Sequence, residues 1–101
     1  MTLERFVDMT SAGPKRLFGI ARKGRIAVGY DADFTVVDLK RRETIRHDWI
    51  ASKSAWTPYD GVTVTGWPVG TIVRGTRVMW EGSLDAPSRG EAVRFEETLR
   101  A

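Results

Sequence analysis

The only histidine in this chain is His47, set between Arg46 and Asp48. A zinc site needs three or four N, S or O donors, and there is no cysteine to join a lone imidazole. His47 therefore reads as a surface or locally bonded side chain at a strand end. Asp31 and Asp33 stand two apart, a spacing that places both carboxyls on one face of a strand, where a pair can do acid–base work. They also lie just before an apolar run, where Asp side chains bond turn N–H groups. The structural role is the expected one. The glycines of Gly24-Arg25-Ile26-Ala27-Val28-Gly29 lack both the Gly-Lys-Ser/Thr ending and the dinucleotide spacing of phosphate loops. Serines stand at 11, 52, 54, 83 and 88, none in a G-x-S-x-G setting, so nucleophilic catalysis has no support. Trp56, Tyr59 and Trp67, with Lys53 and Arg74, could stack and neutralise a single strand of nucleic acid. Trp67-Pro68 leads straight into an apolar strand, which favours aromatics that anchor a loop. The residues thus assign no catalytic, cofactor-binding or metal-binding position.

Composition narrows the classes further. The chain has 101 residues, a net charge of +3 and 29% charged side chains. That size suits one small domain with little margin in its core. The basic residues are scattered among acidic ones, so no block points to nucleic acid. No apolar run approaches the ~20 residues of a membrane span, and the first ten residues lack the apolar stretch of a signal peptide. Without cysteine, a reducing cytoplasm suits the chain.

The elements that must position these residues follow from periodicity. Thr2 is a fitting N-cap for a helix whose stripe is Leu3, Phe6 and Val7. Ser11 can cap a second short helix, with Pro14 in its first turn and Gly19 just past its end. From Gly24 the period changes to two. Residues 34–38 form a strand, and residues 43–46 return beside it across a basic turn, Lys40-Arg41-Arg42. Residues 69–74 and 77–80 form a hairpin with Gly75-Thr76 as its two-residue loop, which opposes Arg74 to Arg77. A long connector, 48–68, separates the strands, and loops of that length are commonly functional or packed on another unit. Residues 83–90 read as a polar linker, and residues 91–101 as a helix or an extended tail. The fold class is α+β: one or two N-terminal helices, then strands.

The order of the segments carries a resemblance. T-L-E-R-F-V at 2–7 leads to T-S-A-G-P-K-R-L-F-G at 10–19, and K-G-R-I-A-V-G-Y-D-A-D-F-T-V-V-D follows at 23–38. Then S-K-S-A-W-T-P-Y-D-G at 52–61 precedes G-W-P-V-G-T-I-V-R-G at 66–75. Over residues 2–82 this resembles the C-terminal end of cyclic amidohydrolases of the amidohydrolase superfamily. It is most similar to dihydroorotase, with hydantoinase/dihydropyrimidinase and allantoinase near. Trp56-Thr57-Pro58 tilts the resemblance towards dihydroorotase.

The resemblance implies a larger hydrolase, a TIM-like barrel with a small β-sandwich built from both chain ends. It implies zinc held by an H-x-H pair, a carboxylated lysine, two further histidines and an aspartate, none matched in this sequence. Residues 1–22 would be the last barrel helices, 23–82 the C-terminal share of the sandwich, and 83–101 a tail. The segment alone would be inactive. Its partners would be the missing barrel part and a second copy of itself, because Leu3, Phe6, Trp56 and Trp67 would otherwise stand uncovered. A small-molecule substrate would belong to the full-length parent only, and neither nucleic acid nor membrane would be a partner.

Overall fold

Thr2 caps the first helix as its sequence suggests: its Oγ1 accepts the Arg5 N–H at 3.1 Å. In a computed structural model that describes residues 1–85 and 90–96, α1 runs over Leu3–Val7 and α2 over Gly13–Phe18. Between them lies a π-helical segment, Asp8–Ala12, whose flanking residues keep helical dihedrals. Helix therefore continues from Leu3 to Phe18, and the expected cap at Ser11 does not form. Pro14 accounts for the widened turn. A proline inside a helix removes one N–H and crowds the preceding turn, and an i→i+5 turn gives the ring room. The Gly13 N–H closes that turn on the Asp8 carbonyl. A Cβ at Gly13 would stand 2.7 Å from the same oxygen, so only glycine fits there. Gly19 ends the run in the left-handed region, as expected.

The chain forms two compact units. The first contains Met1–Asp33, Val73–Gly75 and the described part of the C-terminal segment, 90–96. Besides the helix it holds turns from 19 to 33, and the period-two pattern that begins at Gly24 gives no strand before Phe34. Ile26 is 87% exposed and Val28 is fully exposed. The tail closes on the helix end through an antiparallel bridge of Ile20 with Phe95, and Lys15 pairs with Glu96 at 3.2 Å. Residues 90–94 are extended or irregular, and the rest of the question of a C-terminal helix, 97–101, lies outside the described residues.

The second unit contains Phe34–Ile72 and residues 76–85, and is built on an antiparallel sheet ordered β1-β2-β3-β4. β1 is Phe34–Thr44, β2 Thr63–Val73, β3 Thr76–Trp80 and β4 Ser83–Leu84. The strand at 34–38 is confirmed, but it does not turn back at Lys40-Arg41-Arg42. Asp38 Oδ1 accepts the N–H groups of Lys40 and Arg41, which folds those residues into a bulge. β1 then resumes along the same partner, with Asp38 opposite Trp67 and Arg42 opposite Thr65. A second irregularity places Val36 opposite Gly70 and Val37 opposite Pro68, so Val69 has no counterpart in β1. The bulge lets a strand tolerate Pro68, which cannot donate to a ladder. β2 consequently starts at Thr63, and the connector is 45–62 instead of 48–68.

The hairpin loop also differs from expectation. Arg74 and Gly75 both have positive φ, 49° and 80°, the pair a type I′ loop requires. Arg74 is therefore in the turn and is not opposed to Arg77. Glu81 and Gly82 repeat the device, at 48° and 82°. That second turn makes β4 out of Ser83 and Leu84, residues expected to be linker; 86–89 lie outside the described residues. Among the described residues, the buried apolar side chains are only Ala21 and Val69. Each unit is thus stabilised more by ladders and local polar bonds than by a core of its own.

Candidate functional site

Asp31 and Asp33 are brought to the end of β2 by the turns that precede β1. Lys23 Nζ reaches both, at 3.0 Å to Asp31 and in direct contact with Asp33. Asp33 Oδ1 accepts the Arg74 N–H at 2.8 Å, and the Gly75 N–H donates to the Ala32 carbonyl at 2.9 Å. Arg74 in turn pairs with Asp31 and Glu91, both at 3.3 Å. The two aspartates do not form a free carboxylate pair for acid–base work. They serve as staples for the left-handed turn, as the sequence suggested, but through a residue 41 positions away. Lys23 and Glu91 were not singled out from sequence. The nearest signal was the charge of Lys23 beside a glycine, which names no partner.

Titration of this cluster follows from its bonds. The Asp33 carboxyl lies below its ordinary range, first because Lys23 hydrogen-bonds it and then because the Arg74 N–H does. The Lys23 ammonium lies above its ordinary range, chiefly through Asp33. A lowered acid stabilises the fold fully above its unfolded value of about 3.9 and ceases to do so as pH falls through the folded value. A raised base stabilises the fold below its unfolded value of about 10.4 and ceases to as pH rises through the folded one. The protection factor of the Arg74 amide is therefore expected to be flat near neutrality and to fall in acid. In Asp33→Ala it should be low throughout. Hydrogen exchange across the acid range checks this, and an acid fall retained in Asp33→Ala would contradict it.

His47 organises the connector. Its Nδ1 accepts the Thr57 N–H at 3.2 Å, its own N–H donates to Asp60 Oδ1 at 2.8 Å, and Nε2 lies 3.8 Å from Asp60 Oδ2. Thr57 is buried, and its Oγ1 accepts the Tyr59 N–H at 3.2 Å. The imidazole is a local clasp, in accord with the sequence reading. Thr57 and Asp60 were missed there, although Asp60-Gly61 is a turn dipeptide that flags a carboxylate free to bond backbone. The aromatics separate. Trp67 packs on Trp49, with ring centroids 4.9 Å apart and planes inclined by 50°. Trp56 and Tyr59 do not anchor the loop on the described residues, for they are 63% and 61% exposed. Nor do they form a platform with Trp67. Among the described residues, no three His, Cys, Asp or Glu side chains converge as metal ligands would.

The described geometry therefore carries staples, clasps and uncovered apolar side chains. The Amidohydrolase family model matches residues 1–78 of the chain. This chain belongs to the amidohydrolase family. As an amidohydrolase it is 50% identical over 84 residues to the dihydroorotase of Methanothermobacter thermautotrophicus, covering 83% of this chain and 20% of that one. It is 44% identical over 93 residues to the dihydroorotase of Pyrococcus furiosus, covering 92% and 22%. A D-phenylhydantoinase of Escherichia coli is 35% identical over 96 residues, covering 93% and 21%. Among solved structures, the L-hydantoinase (dihydropyrimidinase) of Arthrobacter aurescens superposes with a TM-score of 0.79 at 38% identity, over 85% of this chain and 19% of that one. The D-hydantoinase of a Thermus species gives 0.73 at 34% identity, over 85% and 19%. The chain thus spans about a fifth of the length of the amidohydrolases it matches. No helix among its described residues is long and apolar enough to cross a membrane.

Proposed function

We propose that this chain is the C-terminal segment of a dihydroorotase-type cyclic amidohydrolase. It supplies a helix and a sheet that pack against the catalytic part of the whole protein. The parent's reaction is the interconversion of N-carbamoyl-aspartate and dihydroorotate. The observation that carries the reading is the 50% identity to a dihydroorotase over 84 residues. The three hydantoinases compared above reach 34% to 38%. The uncovered side chains agree with it: Ile26, Val28, Leu17 and Trp56 are all more than half exposed, and only Ala21 and Val69 are buried apolar side chains among the described residues. Apolar surface of that extent is normally covered by a neighbour.

The described residues do not fit a zinc ion. The lone imidazole is engaged by the Thr57 N–H and faces Asp60, and no third donor joins them. Metal and substrate chemistry are therefore assigned to the remaining parent residues, and no step is routed through this segment.

The test is a chimera. This chain replaces the matching segment in the M. thermautotrophicus dihydroorotase and, separately, in the A. aurescens L-hydantoinase. The dihydroorotase chimera should keep dihydroorotate turnover within about tenfold of its parent, which corresponds to a transition-state loss of about 1.4 kcal/mol. The hydantoinase chimera should lose more. A folded dihydroorotase chimera without activity, or a hydantoinase chimera that performs better, would overturn the proposal.

A further inference from the structure

A pocket of about 180 Å³ opens in the first unit, lined by Arg22, Lys23, Asp31, Arg74, Glu91 and Arg94 together with two alanines. Four cations and two carboxylates give its wall a surplus of two positive charges. The carboxylates are already taken. Asp31 is shared by Lys23 and Arg74, and Glu91 pairs with Arg74. Among the described residues, neither Arg22 nor Arg94 has an ion-pair partner.

The backbone around these two arginines is held firmly. The Ala21 N–H donates to the Arg94 carbonyl at 2.9 Å, and the Asp31 N–H donates to the Arg22 carbonyl at 2.8 Å. Arg22 itself has φ 61°, a left-handed conformation that disfavours any side chain. Strain of this kind gathers at ligand sites, where the surroundings over-determine it. A planar guanidinium presents a fork of donors that fits the oxygens of an oxyanion, and it cannot lose its charge at any ordinary pH.

We propose that this pocket binds a small dianionic oxyanion, a phosphate or phosphate monoester, held by Arg22 and Arg94. The volume is below the roughly 300 Å³ of sites for drug-sized ligands, which favours a small group over an extended one. The surplus of two positive charges matches a dianion. Lys23 and Arg74 remain with their aspartates and provide the surrounding field. This site is independent of the hydrolase reading.

The experiment titrates the 101-residue chain with inorganic phosphate at low salt, followed by calorimetry and phosphorus NMR. Saturable binding is expected, weakened by added chloride. The double variant Arg22→Ala/Arg94→Ala should bind at least about tenfold more weakly, since charge-assisted bonds are the strong ones. Arg77→Ala, whose side chain pairs with Asp85 in the other unit, should bind as the parent does. Should the double variant lose its circular-dichroism signature, Arg22→Gln keeps the Cβ–Cδ stem and a polar end without the charge, and is expected to weaken binding about fivefold. Methyl phosphate and malonate complete the series. Tighter binding of malonate than of phosphate, undiminished binding by the arginine variants, or no saturation with the parent chain would each overturn the assignment.

Discussion

Gly24→Ala is expected to lower the stability of the first unit by about 2–5 kcal/mol, through a left-handed penalty of about 1–2 and an overpacking term of about 1–3. Gly24 has φ 82°. A Cβ there would lie 2.7 Å from the Ser11 carbonyl oxygen and 3.1 Å from the Lys15 Cβ. The nearest obstacle is helix backbone, which cannot step aside as a side-chain tip would. Gly19→Ala is the matched control, because Gly19 has φ 63° and nothing within 4 Å of its would-be Cβ. It should forfeit only the left-handed term, about 1–2 kcal/mol. Urea unfolding of the three chains gives both numbers. Equal losses at 19 and 24 would mean that the contact with Ser11 is absent.

Gly70→Val is expected to act on the second unit with similar force. A Cβ at Gly70 would stand 2.5 Å from the Trp80 ring atoms Cε3 and Cζ3, and 3.5 Å from the Val36 Cβ. The indole lies over the glycine and covers backbone that has no side chain of its own, a cross-strand arrangement that stabilises glycine in a sheet. Valine has to displace that ring, at an expected 1–3 kcal/mol. The sign of the coupling makes the test sharp. In a double-mutant cycle with Trp80→Ala, the loss from Gly70→Val should shrink, because the obstacle has been removed. Additive losses in the urea midpoints would refute the picture of a ring seated on Gly70.

Much of the fold was legible because its signals are local. Thr2 caps its helix through a residue three positions on, and Gly19 ends the helical run by its own backbone freedom. The apolar, β-branched residues at 34–38 are a strand. Three of the errors share one cause, a partner far away in sequence. The connector reads as running to Pro68 until Val69 is seen bulged opposite Val36 and Val37, with Pro68 inside β2. Lys40-Arg41-Arg42 reads as a turn until Asp38 gathers the N–H groups of Lys40 and Arg41 and β2 continues beside Arg42. A two-residue loop beginning at glycine is the locally preferred choice. Asp33 and Ala32 accept the N–H groups of Arg74 and Gly75, and shift the loop by one residue.

The functional reading was legible to a different degree. His47 was read as locally bonded, and its bonds to Thr57 and Asp60 agree. The exposure of Trp56 followed from the family resemblance, which left it uncovered, and not from its setting, since an aromatic near an apolar strand reads as an anchor. The order of motifs identified the family where no single residue identified a chemistry. Arg22 and Arg94 escaped notice because residues far apart in the chain share one pocket wall only after the tail has joined Gly19 and Ala21.

The π turn at Asp8–Ala12 has an angular consequence. An α-helix advances about 100° per residue, so one extra residue in a turn retards the phase of everything after it by roughly that amount. Leu3 and Phe6 precede the slip, whereas Leu17 and Phe18 follow it, and all four are more than half exposed. By that slip Phe18 takes the bearing that Leu17 would hold in an unbroken α-helix, beside Leu3 and Phe6. Leu17 swings about 100° off that seam and is left to meet a second neighbour.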